Sequence, residues 1–118
     1  MRRLPSQLLK GSLAGALLQV IANRETYAYE IHQALVAAGF GEIADGTIYP
    51  LLLKLEKANQ ISGEKRASPN GEPPRKYYHL LPAGQAALAE FEADWTQLAT
   101  AMRRLKGAQG SKRSQAKL

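Results

Sequence analysis

The stretch DGTIYPLLLKLEKANQIS, residues 45–62, predicts a helix, a short break and the start of a strand. Apolar residues recur in it at three- and four-residue spacing, which places them on one side of a helix that packs inward. These inward positions are Ile48, Leu51, Leu52 and Leu55. The opposite side carries a stripe formed by Thr47, Pro50, Lys54 and Lys57. The segment is therefore predicted to be an amphipathic helix with a basic outer side.

Pro50 constrains where this helix begins, because a proline inside a helix removes a backbone hydrogen bond at a cost of up to about 3 kcal/mol. With Asp45 as the N-cap, Pro50 would lie beyond the first turn. With Thr47 as the N-cap, it occupies the third helical position, where the missing N–H has no intrahelical partner anyway. We therefore predict Thr47 as the N-cap. Such a helix start offers free N–H groups to phosphate, and Tyr49 can offer its ring to a base or its hydroxyl to phosphate.

Two helices are predicted before this segment, and a hairpin and a long helix after it. Residues 5–23 keep a helical apolar pattern, and a second helix is predicted from an N-cap at Thr26 to a stop at Gly39. The hairpin consists of ISGEKRA and RKYYHLL, joined by SPNGEPP. Three helices followed by a β-ribbon are typical of a winged helix-turn-helix, whose third helix enters the major groove of DNA. We predict a mainly α fold with a β-hairpin wing.

Three regions follow from this order of elements. Residues 5–81 are predicted to form a winged helix-turn-helix DNA-binding domain, and residues 82–106 a C-terminal dimerisation helix. Residues 107–118 lack large apolar residues except the last, so they are predicted to be a disordered basic tail. The wing itself is basic, through Lys65, Arg66, Arg75 and Lys76. A basic wing beside a basic helix provides two points of contact with a nucleic-acid backbone.

Composition limits the possible partners and compartments. The chain has 118 residues, enough for one small domain, and its net charge of +6 favours polyanions, nucleic acid before anionic lipid. It has no Cys, which favours a reducing cytoplasmic compartment, where a DNA-bound protein would be associated with the nucleoid. No apolar run is long enough to span a membrane. The N-terminal segment superficially resembles a signal peptide, but polar residues interrupt it and it keeps helical spacing.

The closing helix carries a heptad seam, the pattern of a coiled coil. Its members are Leu88, Phe91, Trp95, Leu98, Met102 and Leu105. A helix of this length, about 35 Å, with one continuous apolar seam implies a partner, most simply a second copy of the chain. Trp95 is either part of that seam or a ligand-binding residue, since large aromatic side chains also dominate interfaces.

Enzymatic function is not expected. The two histidines, His32 and His79, fall on a helix and a strand without the Cys, Asp or Glu spacing of a metal site or a catalytic triad. No cofactor is predicted. A protein-binding adaptor, in which the long helix docks another protein and the charge is incidental, remains an alternative to a DNA-binding regulator.

Four segments over residues 8 to about 105 match the pattern of one known family: LLKGSLAGALLQVIA, YAYEIHQAL, GEIADGTIYPLLLKLEKANQIS and NGEPPRKYYHLLPAGQAAL. Through them the chain resembles the PadR family of transcriptional regulators, in its small subfamily with a single C-terminal helix. The resemblance implies a homodimeric winged-helix repressor that binds near-palindromic double-stranded operators and is released by a small aromatic or cationic ligand. The DNA-contacting positions that it implies are Tyr29, Thr47, Tyr49, Pro50, Lys54, Lys65, Arg66, Arg75 and Lys76. Either Tyr29 or Tyr49 could instead be a half-buried packing residue.

The same resemblance implies a ligand site in a central pore between two protomers. Trp95 would stack against its counterpart and hold a flat molecule, with Phe91 beside it. The first helix would line the pore through Leu8, Gly11 and Gly15. The wing tip departs from the family pattern, because Glu72 stands where a basic residue is common and a carboxylate is repelled by phosphate.

Overall fold

The computed structural model describes residues 2–115, and its architecture is a winged helix with one long C-terminal helix. Its elements are α1 (Ser6–Lys10), α2 (Leu13–Asn23), β1 (Thr26–Tyr27), α3 (Ala28–Ala38), α4 (Asp45–Lys57), β2 (Ile61–Arg66), β3 (Arg75–Leu80) and α5 (Pro82–Gln115). The three strands form one antiparallel sheet in the order β1–β3–β2. The predicted fold class, mainly helical with a β-hairpin wing, is confirmed.

Aliphatic side chains from the three helices and the sheet form one core. Leu17 of α2, Ile31 of α3, Leu52 of α4 and Ile61 of β2 are almost completely buried in it. Tyr78 of β3 also points inward and is buried, while its neighbour Tyr77 lies on the other face and is half-buried. This is the alternation that a strand with one buried face requires. The core holds α4 by its apolar side and leaves the other side exposed.

The first predicted helix is in fact two helices. Residues 5–23 were expected to be continuous, but α1 ends at Lys10, Gly11 caps it, and α2 begins at Leu13. The Ser12 hydroxyl donates a hydrogen bond to the Leu8 carbonyl, 3.1 Å away, so one of the carbonyls freed at the end of α1 has a partner. Leu8 and Gly11 therefore do not share a continuous helical face with Gly15, which is buried inside α2.

A third strand precedes the second predicted helix. Thr26 was expected to cap that helix, but Thr26 and Tyr27 form β1, paired with Tyr78 and Tyr77 of β3. Thr26 is almost fully buried, and its hydroxyl donates to a Glu30 carboxylate oxygen at 3.0 Å. The helix α3 begins at Ala28, with Tyr27 at the N-cap position. Its predicted end is confirmed at Gly39, whose φ of 112° is a left-handed conformation that glycine adopts without strain.

The helix α4 begins three residues before the predicted start. Its N-cap is Ala44 rather than Thr47, so Pro50 is the sixth helical residue and lies inside the helix. Ala44 is extended and caps with its carbonyl alone, which accepts from the Thr47 and Ile48 amides at 2.9 and 3.3 Å. The helix therefore tolerates a missing hydrogen bond at Pro50. The core contacts of Ile48 and the leucines one and two turns later hold it in place.

The chain forms two compact units, with the boundary within α5 between Leu88 and Ala89. The first unit contains the winged helix and the start of α5, and the second consists of the rest of α5. This helix extends to Gln115, about ten residues past its predicted end, so residues 107–115, expected to be a disordered tail, are helical. Residues 116–118 of that predicted tail lie outside the described residues. No helix within residues 2–115 has the length and apolarity that crossing a membrane requires.

Candidate nucleic-acid interface

The outer side of α4 is exposed along its whole length. Tyr49 is 52% exposed, and Thr47, Pro50 and Lys54 are exposed as well. The inner side, through Ile48, Leu52 and Leu55, is buried, and Leu51 is half-buried. This confirms the two-sided pattern read from the sequence and leaves a basic and aromatic helix surface available to a partner.

A groove of about 560 Å³ runs between α4, the start of α3 and the wing, all within the first unit. We call it the wing groove, lined by Tyr27, Tyr29, Tyr49, Leu53, Arg75 and Lys76. Four of the nine predicted DNA-contacting residues thus meet in one place, although they come from three separate segments of the chain. Thr47 lies apart from them, in a second cleft of about 690 Å³ with Lys10 and Leu51.

The side chain of Tyr29 is exposed to solvent and is not packed in the core. It is 62% exposed, and Gln33, one turn later on α3, donates its amide N–H to the Tyr29 hydroxyl oxygen at 3.0 Å. The ring of Tyr29 also stacks on that of Tyr27, with centroids 6.5 Å apart. With its oxygen accepting from Gln33, the hydroxyl keeps its own proton available to donate to an anionic acceptor such as a phosphate oxygen. These contacts reject the alternative that Tyr29 is a half-buried packing residue.

Arginines of the wing lie on tyrosine rings. The Arg75 guanidinium carbon is 4.5 Å from the centroid of the Tyr27 ring, and that of Arg66 is 5.1 Å from the centroid of Tyr77. The two rings meet edge to face at 5.4 Å. Cation–π contacts of this kind contribute about 0.5–1 kcal/mol at exposed sites and hold a long side chain in one orientation. They give the wing arginines defined positions beside the groove.

Three of the four wing cations are already paired with carboxylates. Arg66 binds both carboxylate oxygens of Glu25, the longer contact being 2.9 Å, and the hydrogen bond it donates is the main reason that the Glu25 pKa lies below its usual range. Arg75 donates to Glu72 at 2.8 Å, and Lys76 donates to Glu56 at 2.7 Å.

The fourth wing cation, Lys65, and two lysines of α4, Lys54 and Lys57, have no carboxylate partner in the part of the chain that the structure describes. Among residues 2–115, no carboxylate lies within 4.0 Å of the amino groups of Lys54, Lys57 or Lys65. Among the cations of α4 and the wing, these three are therefore the most directly available to phosphate, whereas the paired ones must first exchange a carboxylate for it.

Several residues of the groove were not singled out from the sequence. Tyr27 and Leu53 line it, Glu56 sets the position of its Lys76, and Glu25 sets the position of Arg66 elsewhere on the wing. Leu53 carried a usable signal, because it falls outside the inward stripe of α4 and is a large apolar residue, 50% exposed. The role of Glu25 depends on a contact with Arg66, forty-one residues later, for which no local pattern exists.

The seam of α5 is largely exposed within the second unit. Trp95, Leu98, Met102 and Leu105 are each more than half exposed, and Phe91 is half-buried. Leu88, which was predicted to be part of the same seam, differs. It is only 9% exposed and packs in the core of the first unit, so it is not available to a second chain. Of the remaining ligand-site candidates, Leu8 is 57% exposed and Gly11 is exposed.

No group of three or more His, Asp or Glu side chains within the described part of the chain is arranged to hold a metal ion. The exposed surface of the first unit instead presents tyrosines, lysines and arginines beside α4, the start of α3 and the wing. Such a surface suits an extended anion with aromatic faces, which describes nucleic acid.

Comparisons with known proteins agree with this geometry. Residues 17–90 match the family described as Transcriptional regulator PadR-like family. A transcriptional regulator from Streptococcus is 46% identical, with 85% of this chain and 97% of that one aligned and a TM-score of 0.75. A PadR-like transcriptional regulator from Bacillus cereus is 41% identical, with 84% and 95% aligned and the same TM-score. An uncharacterised protein from Lysinibacillus sphaericus is 28% identical over 95 residues, which are 79% of this chain and 86% of that one.

The family match covers most of α2, all of α3 and α4, and the whole wing, and the solved relatives share the fold over most of their length. The chain therefore belongs to the PadR-like family, whose members are transcriptional regulators and not enzymes.

Proposed function

We propose that the protein is a homodimeric, sequence-specific DNA-binding regulator, a cytoplasmic repressor that a small aromatic or cationic ligand releases from a near-palindromic operator. The observation that carries this proposal is the wing groove with its flanking exposed side of α4. Tyrosines and cations from three segments of the chain converge there, on the elements that a winged helix presents to DNA.

In this proposal α4 is the recognition helix, with Thr47, Tyr49 and Pro50 against base edges in the major groove. Lys54 contacts the phosphate backbone, as does Tyr29 through its hydroxyl. The exposure of all five side chains supports this arrangement. The contacts of α4 with base edges in the DNA major groove read the base sequence. The contacts with the phosphate backbone fix the register of the protein on the duplex and supply a large share of the affinity.

The wing holds the backbone next to the recognition helix. Lys65 is free to contact phosphate directly, and Arg66 and Arg75 can exchange their carboxylates for it. Their ion pairs are 37–60% exposed on both sides, and exposed pairs are worth only about 0–1 kcal/mol, so a phosphate oxygen can replace them at little cost. The carboxylate of Glu72 at the wing tip is partly neutralised by Arg75, which reduces its repulsion of DNA.

Dimerisation through α5 supplies the second half of the interface. An apolar seam from Phe91 to Leu105, exposed in one chain, is buried when a second copy packs against it. A twofold dimer with recognition helices about 34 Å apart meets successive major grooves on one side of B-DNA. That geometry requires an operator with matching half-sites, which is the reason for proposing a near-palindrome.

Release by a ligand is proposed to act through Trp95 at this dimer seam. Trp95 is 52% exposed in the chain, so a flat molecule can stack on its ring before or instead of a neighbouring side chain. A ligand that fits one dimer geometry better than another changes the distance between the two recognition helices and lowers operator affinity accordingly. In a Trp95→Ala variant, the inducing compound should lose its effect on DNA binding. Release at an unchanged concentration contradicts this step.

A salt titration tests the DNA-binding proposal. Fluorescent duplexes that tile the region upstream of the protein's own gene are titrated by anisotropy at a series of salt concentrations. Binding should weaken steeply with salt, and Lys54→Ala, which removes two phosphate contacts per dimer, should lower the slope of log K against log salt by about 1.8. The matched control is Lys106→Ala, which makes the same charge change on α5. Equal slopes for both variants contradict the assignment of the contact face.

An adaptor function is the second candidate, and the carboxylate pairing of three wing cations is the observation that favours it. A surface whose cations are already neutralised has less to gain from a polyanion. The same titration separates the two functions, because an adaptor binds no duplex with a steep salt dependence and its partner protein binds α5 independently of salt.

A further inference from the structure

One ion pair of the wing differs from the others in what it connects. Lys76, near the start of β3, donates a hydrogen bond of 2.7 Å to Glu56 in the last turn of α4. The other wing pairs link loop or strand residues, whereas this one joins the wing to the helix beside it. Its side chains are 37% and 21% exposed, against 37–60% for the pairs of Arg66 and Arg75. It is therefore the least easily replaced by a phosphate group.

Gly63 of β2 lies beside this ion pair, and because glycine has no Cβ atom the pair fits next to the strand. A Cβ atom added there would lie 2.4 Å from Cε of Lys76 and 3.0 Å from Oε2 of Glu56. The first distance is shorter than real contacts and the second is tighter than most, so a side chain at this position requires the end of the Lys76 side chain to move away from its place beside Glu56. Glycine in a strand normally weakens it and often marks a close approach. Here the close approach is that of the two charged side chains.

The Lys76 ammonium has a second neighbour besides Glu56. The Lys76 ammonium lies 5.7 Å from the centroid of the Tyr78 ring, and Tyr78 is buried in the core. The hydrogen bond that Lys76 donates to Glu56 is the main cause that raises the pKa of Lys76, so the lysine is charged at neutral pH. Core, strand and helix thus converge on one ammonium group.

We infer that Glu56, Gly63 and Lys76 form a clasp that sets the separation of the wing from α4, and that Lys76 is a positioning residue rather than a phosphate ligand. The clasp lies in the wing groove, where Glu56 and Lys76 both contribute to the lining. This inference rests on the proposed DNA-binding function and changes the role of one predicted contact. A wing held at a defined distance meets the backbone while α4 is in the major groove, without a further ordering cost.

The direction of the effect in Glu56→Ala distinguishes the two roles of Lys76. The substitution removes a negative charge from each protomer, so electrostatics alone predicts tighter binding, and a Lys76 phosphate ligand would be freed by it. The clasp predicts the opposite, operator affinity weaker by about tenfold, because the wing loses its fixed position. The charge-matched control is Glu64→Ala on β2, which should bind as tightly as the wild type or more tightly.

Two more variants test the clasp without relying on the first. Gly63→Ala changes no charge but displaces the pair, so it should weaken binding about as much as Glu56→Ala. Lys76→Met keeps an unbranched side chain of similar length without the charge and should weaken binding with an unchanged salt slope. A slope lower by about 1.8 in Lys76→Met identifies Lys76 as a phosphate ligand and overturns the clasp.

Hydrogen exchange of the DNA-free protein provides a measurement that does not depend on an operator. Glu56→Ala and Gly63→Ala should both speed amide exchange in β2 and β3 relative to Glu64→Ala, with the melting temperature recorded to confirm folding. If the wild type binds no duplex, the proposed function fails while the exchange data still judge the clasp. If the wild type binds and Glu56→Ala binds equally or more tightly with unchanged exchange, the clasp is refuted and the function stands.

Discussion

The α5 seam makes the sharpest quantitative prediction, because its side chains lie exposed in a single chain. Leu98 is 53% exposed and Met102 is 58% exposed. Full burial of such a side chain contributes about 1.5–3 kcal/mol, so burial of the exposed half contributes about 0.8–1.5 kcal/mol. A dimer buries four such side chains, Leu98 and Met102 from each protomer. Since alanine keeps the Cβ contact, the double substitution Leu98→Ala and Met102→Ala should cost about 3 kcal/mol of dimerisation free energy, or about 100-fold in the dissociation constant.

Sedimentation equilibrium measures this dissociation constant directly, with circular dichroism to confirm that the helix content is retained. The matched control is Thr96→Ala with Gln97→Ala, which truncates two exposed side chains of the same helix outside the seam. The control should dimerise as the wild type does. A double variant at Leu98 and Met102 with an unchanged dissociation constant, or a wild type that is monomeric at micromolar concentration, refutes the reasoning.

The remaining predictions concern α4, the sheet edge and the core. Pro50→Ala should stabilise the fold by about 1–3 kcal/mol in urea unfolding, because it restores a helical hydrogen bond, and a lower stability contradicts the assignment of Pro50 to the helix interior. The lowered pKa of Glu25 means that its pairing with Arg66 contributes stability above the ordinary glutamate pKa, which is lost as the pH falls through the lowered value. In Arg66→Ala, carbon-detected NMR should show Glu25 titrating at a higher pH than in the wild type, and an unchanged titration contradicts the pair. Leu52→Ala, at a site only 1% exposed, should cost about 2–5 kcal/mol of unfolding free energy, and a loss below about 1 kcal/mol would show that the site is not core.

The predictions made from the sequence succeeded where the apolar residues of one helix or strand all pack into the same core. The segment RKYYHLL was predicted to be a strand, and it forms β3 with Tyr78 packed inward. The spacing of Ile48, Leu52 and Leu55 predicted the buried side of α4 and therefore its exposed side. Burial of apolar area is the largest stabilising contribution to folding, and the buried positions recur with the period of a helix or a strand. The spacing of apolar residues in the sequence therefore predicts which side of an element is buried.

The errors occurred where distant contacts override a local preference. Thr26 has the chemistry of an N-cap, but pairing with β3 recruits it into a strand, and Pro50 is tolerated inside α4 because the core holds that helix on both sides of it. Leu88 fits the heptad seam as well as Leu105 does, yet its side chain packs in the core of the first unit. A local pattern contains no information on which of two apolar surfaces a side chain meets.

The helices α3 to α5 and the hairpin, the two-sided nature of α4 and the seam of α5 beyond Leu88 could be read from the chain, because each depends on residues within a few turns of one another. The pairing of Arg66 with Glu25 and the packing of the Lys76–Glu56 pair over Gly63 could not. These contacts span twenty or more residues, or depend on the absence of a single methyl group, and they exist only once the strands lie beside the helix. Long-range geometry therefore settles which cations are free for a partner, whereas local sequence settles only how many there are.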